Sequence, residues 1–255
     1  SIIISKFDKR RFNLMDFYLA RVNRIIPALA FLCASLLIIG LFTLSPVEYS
    51  KLGKQAASSV LFLSNIIYYR DSGYFAESSL ENWLLHTWSL SVEWQFYLLY
   101  PVALLVLNRL LSRDKLKVAI VFATFLSLVL SAWLTPKNPS LSYYALPTRA
   151  WEMLIGGLAF LYPIKIYESL RKPLAVIGVI LILISCFAFS EKTSWPGISA
   201  LLPVAGAYLI IIANRNENIL LNNRLFQALG TWSYSIYLWH WPLVVFIYKN
   251  ELNEA

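Results

Sequence analysis

Five long apolar stretches, 25–44, 118–134, 173–190, 195–213 and 229–248, constrain this chain more than any other feature. Each approaches or reaches the length a helix needs to cross a hydrocarbon core of roughly 30 Å. Two further stretches, 88–108 and 149–162, are also apolar but carry Glu93 and Glu152. Hydrophobic residues make up 58% of the chain and charged residues 14%, too apolar for an ordinary soluble domain. Period-two alternation is absent, which excludes a barrel. The expected fold is all-α: a polytopic transmembrane helical bundle of about seven full spans plus one re-entrant or interfacial segment.

The net charge of +8 points to the membrane surface because of where it sits. Lys6, Lys9, Arg10, Arg11, Arg21 and Arg24 precede the first span, and Arg109, Arg113, Lys115 and Lys117 follow the Glu93 stretch. Lys165, Arg171 and Lys172 form a third cluster, Arg215 and Arg224 a fourth. Short basic loops stay cytoplasmic, and all four clusters share one side only if the chain crosses once between Arg24 and His86. Segment 54–69 is therefore expected to be re-entrant or interfacial. His86 then sits near the exoplasmic face, with Arg21 and Arg24 near the cytoplasmic one. The expected location is a membrane, crossed several times, with the lipid bilayer and no nucleic acid as partner.

Cys33 and Cys186 lie inside apolar stretches without metal-ligand neighbours, so both are expected to pack and no metal site is expected. Segments 135–147 and 191–196 hold Pro, Asn and Ser and are expected as loops. Tyr68, Tyr69, Trp133, Tyr143, Tyr144 and Trp195 suit aromatic belts. The chain opens on Ser1-Ile2-Ile3-Ile4 with no initiator Met, as the tail of a preceding span would look.

Four polar constellations interrupt the apolar pattern. In a helix beginning near Thr87, His86, Ser89, Glu93 and Tyr97 fall on one face. An ionisable group at membrane depth faces a partner, a cavity or a reaction; here Glu93 pairing with a buried Arg and His86 capping the helix is the structural alternative. Arg21 and Arg24, at i and i+3, project two guanidinium forks from one face, suited either to phosphate or to lipid headgroups. Arg149 and Glu152 are spaced to pair with each other, and Gly156 and Gly157 would admit a neighbouring helix. His240 lies in an uncharged stretch beside Pro242, where His240 or Ser235 can satisfy the carbonyl that proline frees, or His240 can touch substrate.

Taken together, the strings FYLARVNRIIPAL, LLHTWSLSVEWQFYLLYP, LPTRAWEMLIGGLAF and LGTWSYSIYLWHWPL, in that order, resemble the membrane domain of the acyltransferase-3 family. The likeness runs from residue 17 to residue 243 and is strongest to the bacterial branch that O-acetylates surface polysaccharide. It implies that residues 1–255 are a partial membrane domain lacking the first two spans and the C-terminal spans. It also implies acetyl transfer from cytoplasmic acetyl-CoA, as co-substrate with no bound cofactor, to a hydroxyl of an exoplasmic glycan. A membrane glycan or lipid-linked saccharide of the lipopolysaccharide or O-antigen kind is the implied acceptor. Arg21 and Arg24 match the family's donor-binding Arg-x-x-Arg motif.

His86 and Glu93 are the catalytic candidates in this chain, with Ser89, Tyr97, Arg149, Glu152, Tyr234 and His240 as an acceptor-side or structural polar network. The resemblance also places the family's main catalytic histidine in a first span outside this sequence. In that scheme His86 and Glu93 orient the acceptor or relay protons, and this stretch alone does not catalyse. Position 94 is Trp where many relatives carry a second acid. Two rival functions use the same residues: a transporter or flippase for a lipid-linked glycan, and an inactive truncated remnant.

Overall fold

The computed structural model describes residues 13–72, 79–190, 193–213 and 224–254. Lys6, Lys9, Arg10, Arg11, Arg215, Glu191 and the opening Ser1–Ile4 run lie outside the described residues. The described residues form helices and no strand: α1 (Leu14–Thr43), α2 (Pro46–Val60), α3 (Ser64–Asp71), α4 (Thr87–Leu110), α5 (Arg113–Leu134), α6 (Pro139–Tyr144), α7 (Leu146–Leu161), α8 (Glu168–Ala188), α9 (Leu201–Ala213) and α10 (Arg224–Glu254). They divide into two compact units, 13–72 and 79–98 with 224–254, and 99–190 with 193–213. Helix α4 gives its first half to one unit and its second half to the other.

In the first unit α1, α10 and the first half of α4 form a frame. Asn13 caps α1 by accepting from the Met15 N–H at 2.9 Å, and the helix continues for 30 residues, about 45 Å. Helix α10 runs parallel to it: Tyr234 donates to the Ile25 carbonyl at 2.9 Å, and further along the Phe31 and Trp239 rings meet at 6.2 Å. Helix α4 runs the opposite way. Tyr18 near the start of α1 donates to the Leu98 carbonyl at 2.8 Å, whereas Ser89 at the start of α4 bonds Tyr237. Ile25, Leu29, Leu32, Leu36, Leu90 and Leu238 fill the space between them.

Segment 54–69 is broken in two. Helix α2 begins in a capping box, Ser45 with Glu48, and ends where Phe62 takes a φ of 56°. A left-handed phenylalanine costs on the order of 1 kcal/mol. The Leu63 N–H offsets it by reaching back to the Ser58 carbonyl at 2.8 Å, while the Phe62 ring stacks on Trp94 at 4.4 Å. Helices α2 and α3, with 15 and 8 residues, reach about 22 and 12 Å, so neither crosses a bilayer alone. A buried hydroxyl chain ties them to α4: Ser59 to Thr87 at 2.7 Å, Thr87 to Ser64 at 3.2 Å, and Ser64 to Ser91 at 2.7 Å.

The second unit pairs α5 with α7 and α8 with α9. Ser127 of α5 enters the ladder of α7, donating to the Pro147 carbonyl at 2.6 Å and accepting the Trp151 N–H at 3.0 Å. Helices α8 and α9 approach at Gly178 and Gly206, where an added Cβ would lie 2.6 Å from the opposing carbonyl oxygen. Of the two glycines singled out in the sequence, Gly157 faces α4 and Gly156 faces open space. A Cβ at Gly156 would meet nothing within 4 Å, and one at Gly157 only the Tyr100 hydroxyl at 3.2 Å.

Among the described residues four helices, α1, α4, α5 and α8, are long and apolar enough by themselves to cross a membrane. Helix α9 starts at Leu201, not at Trp195, because Pro196 offers no N–H and Gly197 sits at a φ of 41°. Its 13 residues reach only about 20 Å. Helix α7 has 16 residues, and the Trp, Tyr and Ser content of the long α10 dilutes its hydropathy. The expected loop 135–147 contains α6, capped by Asn138. Cys33 packs in the core, but Cys186 is exposed on α8, and Tyr68 is buried at 5% exposure, not placed in a belt.

Candidate functional site

The polar groups of α1, α4 and α10 meet in the first unit around a cavity of about 380 Å³. Its wall holds Arg21 and Arg24 from α1, Ser89, Glu93 and Tyr97 from α4, and Ser233, Tyr234 and Tyr237 from α10. The i, i+3 spacing of the arginines puts both in this wall, because α1 enters the frame as a regular helix. The i, i+4 steps from Ser89 to Glu93 to Tyr97 lay one polar edge along α4, spanning about 12 Å.

Local contacts fix these groups. The Tyr97 hydroxyl donates to Glu93 in a short hydrogen bond. The Arg21 guanidinium lies over the Tyr97 ring, 4.9 Å from its centroid, and 5.4 Å from that of Phe17. Tyr97 thus links the Arg21 cation to the Glu93 anion. Tyr237 donates to the His86 carbonyl and receives the Ser89 hydroxyl at 2.6 Å. With its proton committed to Tyr237, Ser89 keeps lone pairs for a donor entering the cavity.

His86 stands behind this wall. It is buried at 7% exposure, its ring 5.3 Å from Tyr237 and 5.5 Å from His240. The ring lies against the Leu238 carbonyl, the one that Pro242 leaves without its helical donor, although neither ring nitrogen completes a full hydrogen bond. His86 precedes the α4 span by one residue. Burial, and then the neighbouring His240, hold its imidazole below the usual histidine range, so it stays neutral near pH 7. His240 is exposed, and its Nδ1–H donates to the Tyr237 carbonyl at 2.6 Å, which leaves Nε2 as an acceptor. It does not repair the break at Pro242, because its bond goes to the carbonyl three residues back. Ser235 is exposed on another face.

Arg149 and Glu152 belong to the second unit, where they pair at 3.0 Å. Arg149 also lies 5.8 Å from the centroid of the Tyr143 ring. The expected polar network is therefore two separate sets. Tyr237 and Ser233 are the wall residues that the sequence reasoning missed. The signal was present for Tyr237, which follows Tyr234 and precedes His240 at three-residue steps and so shares their face of α10.

A family model described as an acyltransferase domain matches residues 3–251. The peptidoglycan O-acetyltransferase OatA of Listeria monocytogenes is 32% identical over 96% of this chain and 42% of its own length. The O-acetyltransferase OatA of Staphylococcus aureus is 27% identical over 97% of this chain and 44% of its own. An uncharacterized protein of Haemophilus influenzae is 29% identical over 86% of this chain and 94% of its own. The chain thus spans less than half the length of both OatA relatives. No solved structure matches.

Proposed function

The chain belongs to the acyltransferase-3 family, and from that premise we propose that it transfers an acetyl group from acetyl-CoA to a hydroxyl of a cell-surface glycan. One observation carries this reading: Arg21, Arg24 and Glu93 line a single cavity. Two guanidiniums against one carboxylate leave a positive excess that suits the phosphates of the donor. The carboxylate supplies a base beside them. In the reaction the acceptor O–H gives its proton to a base while its oxygen bonds to the thioester carbonyl carbon. The C–S bond then breaks and the CoA thiolate takes up a proton, so acetyl-CoA and the alcohol become the acetyl ester and free CoA.

Glu93, held by Tyr97, is the base candidate within the wall. His86 orients the acceptor side through its carbonyl bond to Tyr237, which in turn fixes Ser89. The enzyme lies in the bacterial plasma membrane as a multi-pass protein, with Arg21 and Arg24 toward the basic, cytoplasmic side. The name of the Listeria relative supports a peptidoglycan-type acceptor; none of the named relatives supports lipopolysaccharide or O-antigen.

The test uses the full-length protein in proteoliposomes with radiolabelled acetyl-CoA. Glu93→Gln is expected to lower acetyl incorporation into glycan about a hundredfold. Arg21→Gln with Arg24→Gln is expected to raise KM for acetyl-CoA about tenfold or more. Incorporation that survives all three changes would end this reading, and movement of unmodified glycan without acetylation would replace it with transport.

A further inference from the structure

A second cavity of the first unit, about 770 Å³, lies beyond the arginine-lined one along the same frame. On α1 its wall begins at Leu36, about 18 Å past Arg24 in helix rise. On α10 it runs from Trp239 through Pro242 and Phe246 to Lys249. Helices α1 and α10 are parallel, so the two cavities lie at different levels along the frame. The His86–His240 pair falls between them: Tyr237 lines one cavity, Trp239 the other, and His240 follows next on α10.

The two cavities differ in charge. Arg21, Arg24 and Glu93 leave the first one positive. In the second, Lys51 and Lys249 are matched by Glu48 and Glu81. Lys249 bonds Glu48 at 2.6 Å, and Glu81 acts on Lys51 as an opposite charge. The balanced cavity therefore favours a ligand that is rich in hydrogen-bonding groups and carries no charge of its own at that point. Trp83 lines it, with a buried indole N–H that has no hydrogen-bond partner, and Trp239 adds a second aromatic side chain. A buried donor without an acceptor asks for an explanation. Planar carboxylates, an amide from Gln55 and indole rings together suit the alternating C–H faces and hydroxyl edges of a sugar.

We infer that this second cavity binds the saccharide acceptor and delivers its hydroxyl toward the His86–His240 partition. The inference rests on the acyltransferase reading, and it adds the place where the acceptor is held. Apolar residues on one side of the wall, Leu36, Ile39, Leu243 and Phe246, would further accommodate the chain of a lipid-linked saccharide.

The test measures binding of an N-acetylglucosamine tetrasaccharide to the full-length protein in nanodiscs, by titration calorimetry without acetyl-CoA. Glu81→Gln, which unbalances the charge, and Leu243→Trp, which fills the apolar side, are each expected to weaken binding about tenfold. Arg21→Gln with Arg24→Gln is expected to leave it unchanged. A polyprenyl-diphosphate-linked disaccharide forms the second arm; tighter binding that Leu243→Trp abolishes identifies the lipid-linked form as the source. Absence of tetrasaccharide binding to the unaltered protein, or binding unaffected by both cavity variants, overturns the inference. Failure of the acyltransferase reading is separate: saccharide binds in the cavity, yet no acetyl reaches it.

Discussion

The two units of this protein use polar residues in opposite ways. In the second unit several polar side chains are spent within and between helices. Ser127 enters the ladder of α7, Thr135 bonds Ser142 at 2.7 Å, and Arg149 pairs with Glu152. In residues 13–98 and 223–254 many are turned toward cavities, among them Arg21, Arg24, Glu93, Tyr97 and Tyr237. Polar groups in a membrane helix are costly unless satisfied. The Ser127, Thr135 and Arg149 contacts satisfy such groups with protein, and the cavity wall leaves part of that capacity for a ligand. Polarity within a span is therefore a poor guide to chemistry until its partners are known.

The largest expected effect breaks the packing side of this contrast. Gly178→Leu would drive a side chain into the Gly206 carbonyl and should cost about 3 kcal/mol or more. Thermal unfolding in detergent would show a large drop in Tm, and an unchanged Tm would mean that α8 and α9 do not meet there. Next comes Thr87→Val in the hydroxyl chain between α2, α3 and α4. It keeps shape but takes one partner each from the buried Ser59 and Ser64 hydroxyls, which keep the Gln55 carbonyl and Ser91, at about 1 kcal/mol. Proteolysis of the α2–α3 region should rise more than that of α8 and α9; equal protection would deny the tie.

The smallest effect concerns Glu48. Its hydrogen bond from Lys249, followed by those from Ser45, pushes its carboxyl down to about 2. A depressed carboxyl contributes stability at neutral pH that is lost as pH falls from its unfolded value, near 4.5, toward 2. Because the carboxylate is 44% exposed, the contribution should stay below about 1 kcal/mol and shrink with salt. Glu48→Gln should flatten the acid limb of a Tm-against-pH curve by that small amount. An unaltered acid limb would place the acid sensitivity elsewhere.

Much of the site was legible in the sequence because helical spacing is rigid. Arg21 with Arg24, and Ser89 with Glu93 and Tyr97, share faces by period alone, and the structure puts each set in a cavity wall. Sequence spacing does not say which faces meet. That is why His86, in line with Ser89 and Glu93, turns out to stand behind Tyr237, and why Arg149 and Glu152 pair with each other in another unit. Charge placement led only to a re-entrant or interfacial segment at 54–69; the device that divides it, a left-handed Phe62 stacked on Trp94, carries no glycine or proline signal.

By itself, then, the sequence determined the all-helical class, the family and the helix faces that carry charge. These follow from hydropathy, string identity and a fixed rise per residue, all local quantities. Only the tertiary structure decided that two arginines and a glutamate share a cavity, that a charge-balanced one lies further along the frame, and that the close glycine pair is Gly178 with Gly206. Those facts depend on which helices are parallel and at what register they touch, and non-local contacts set both.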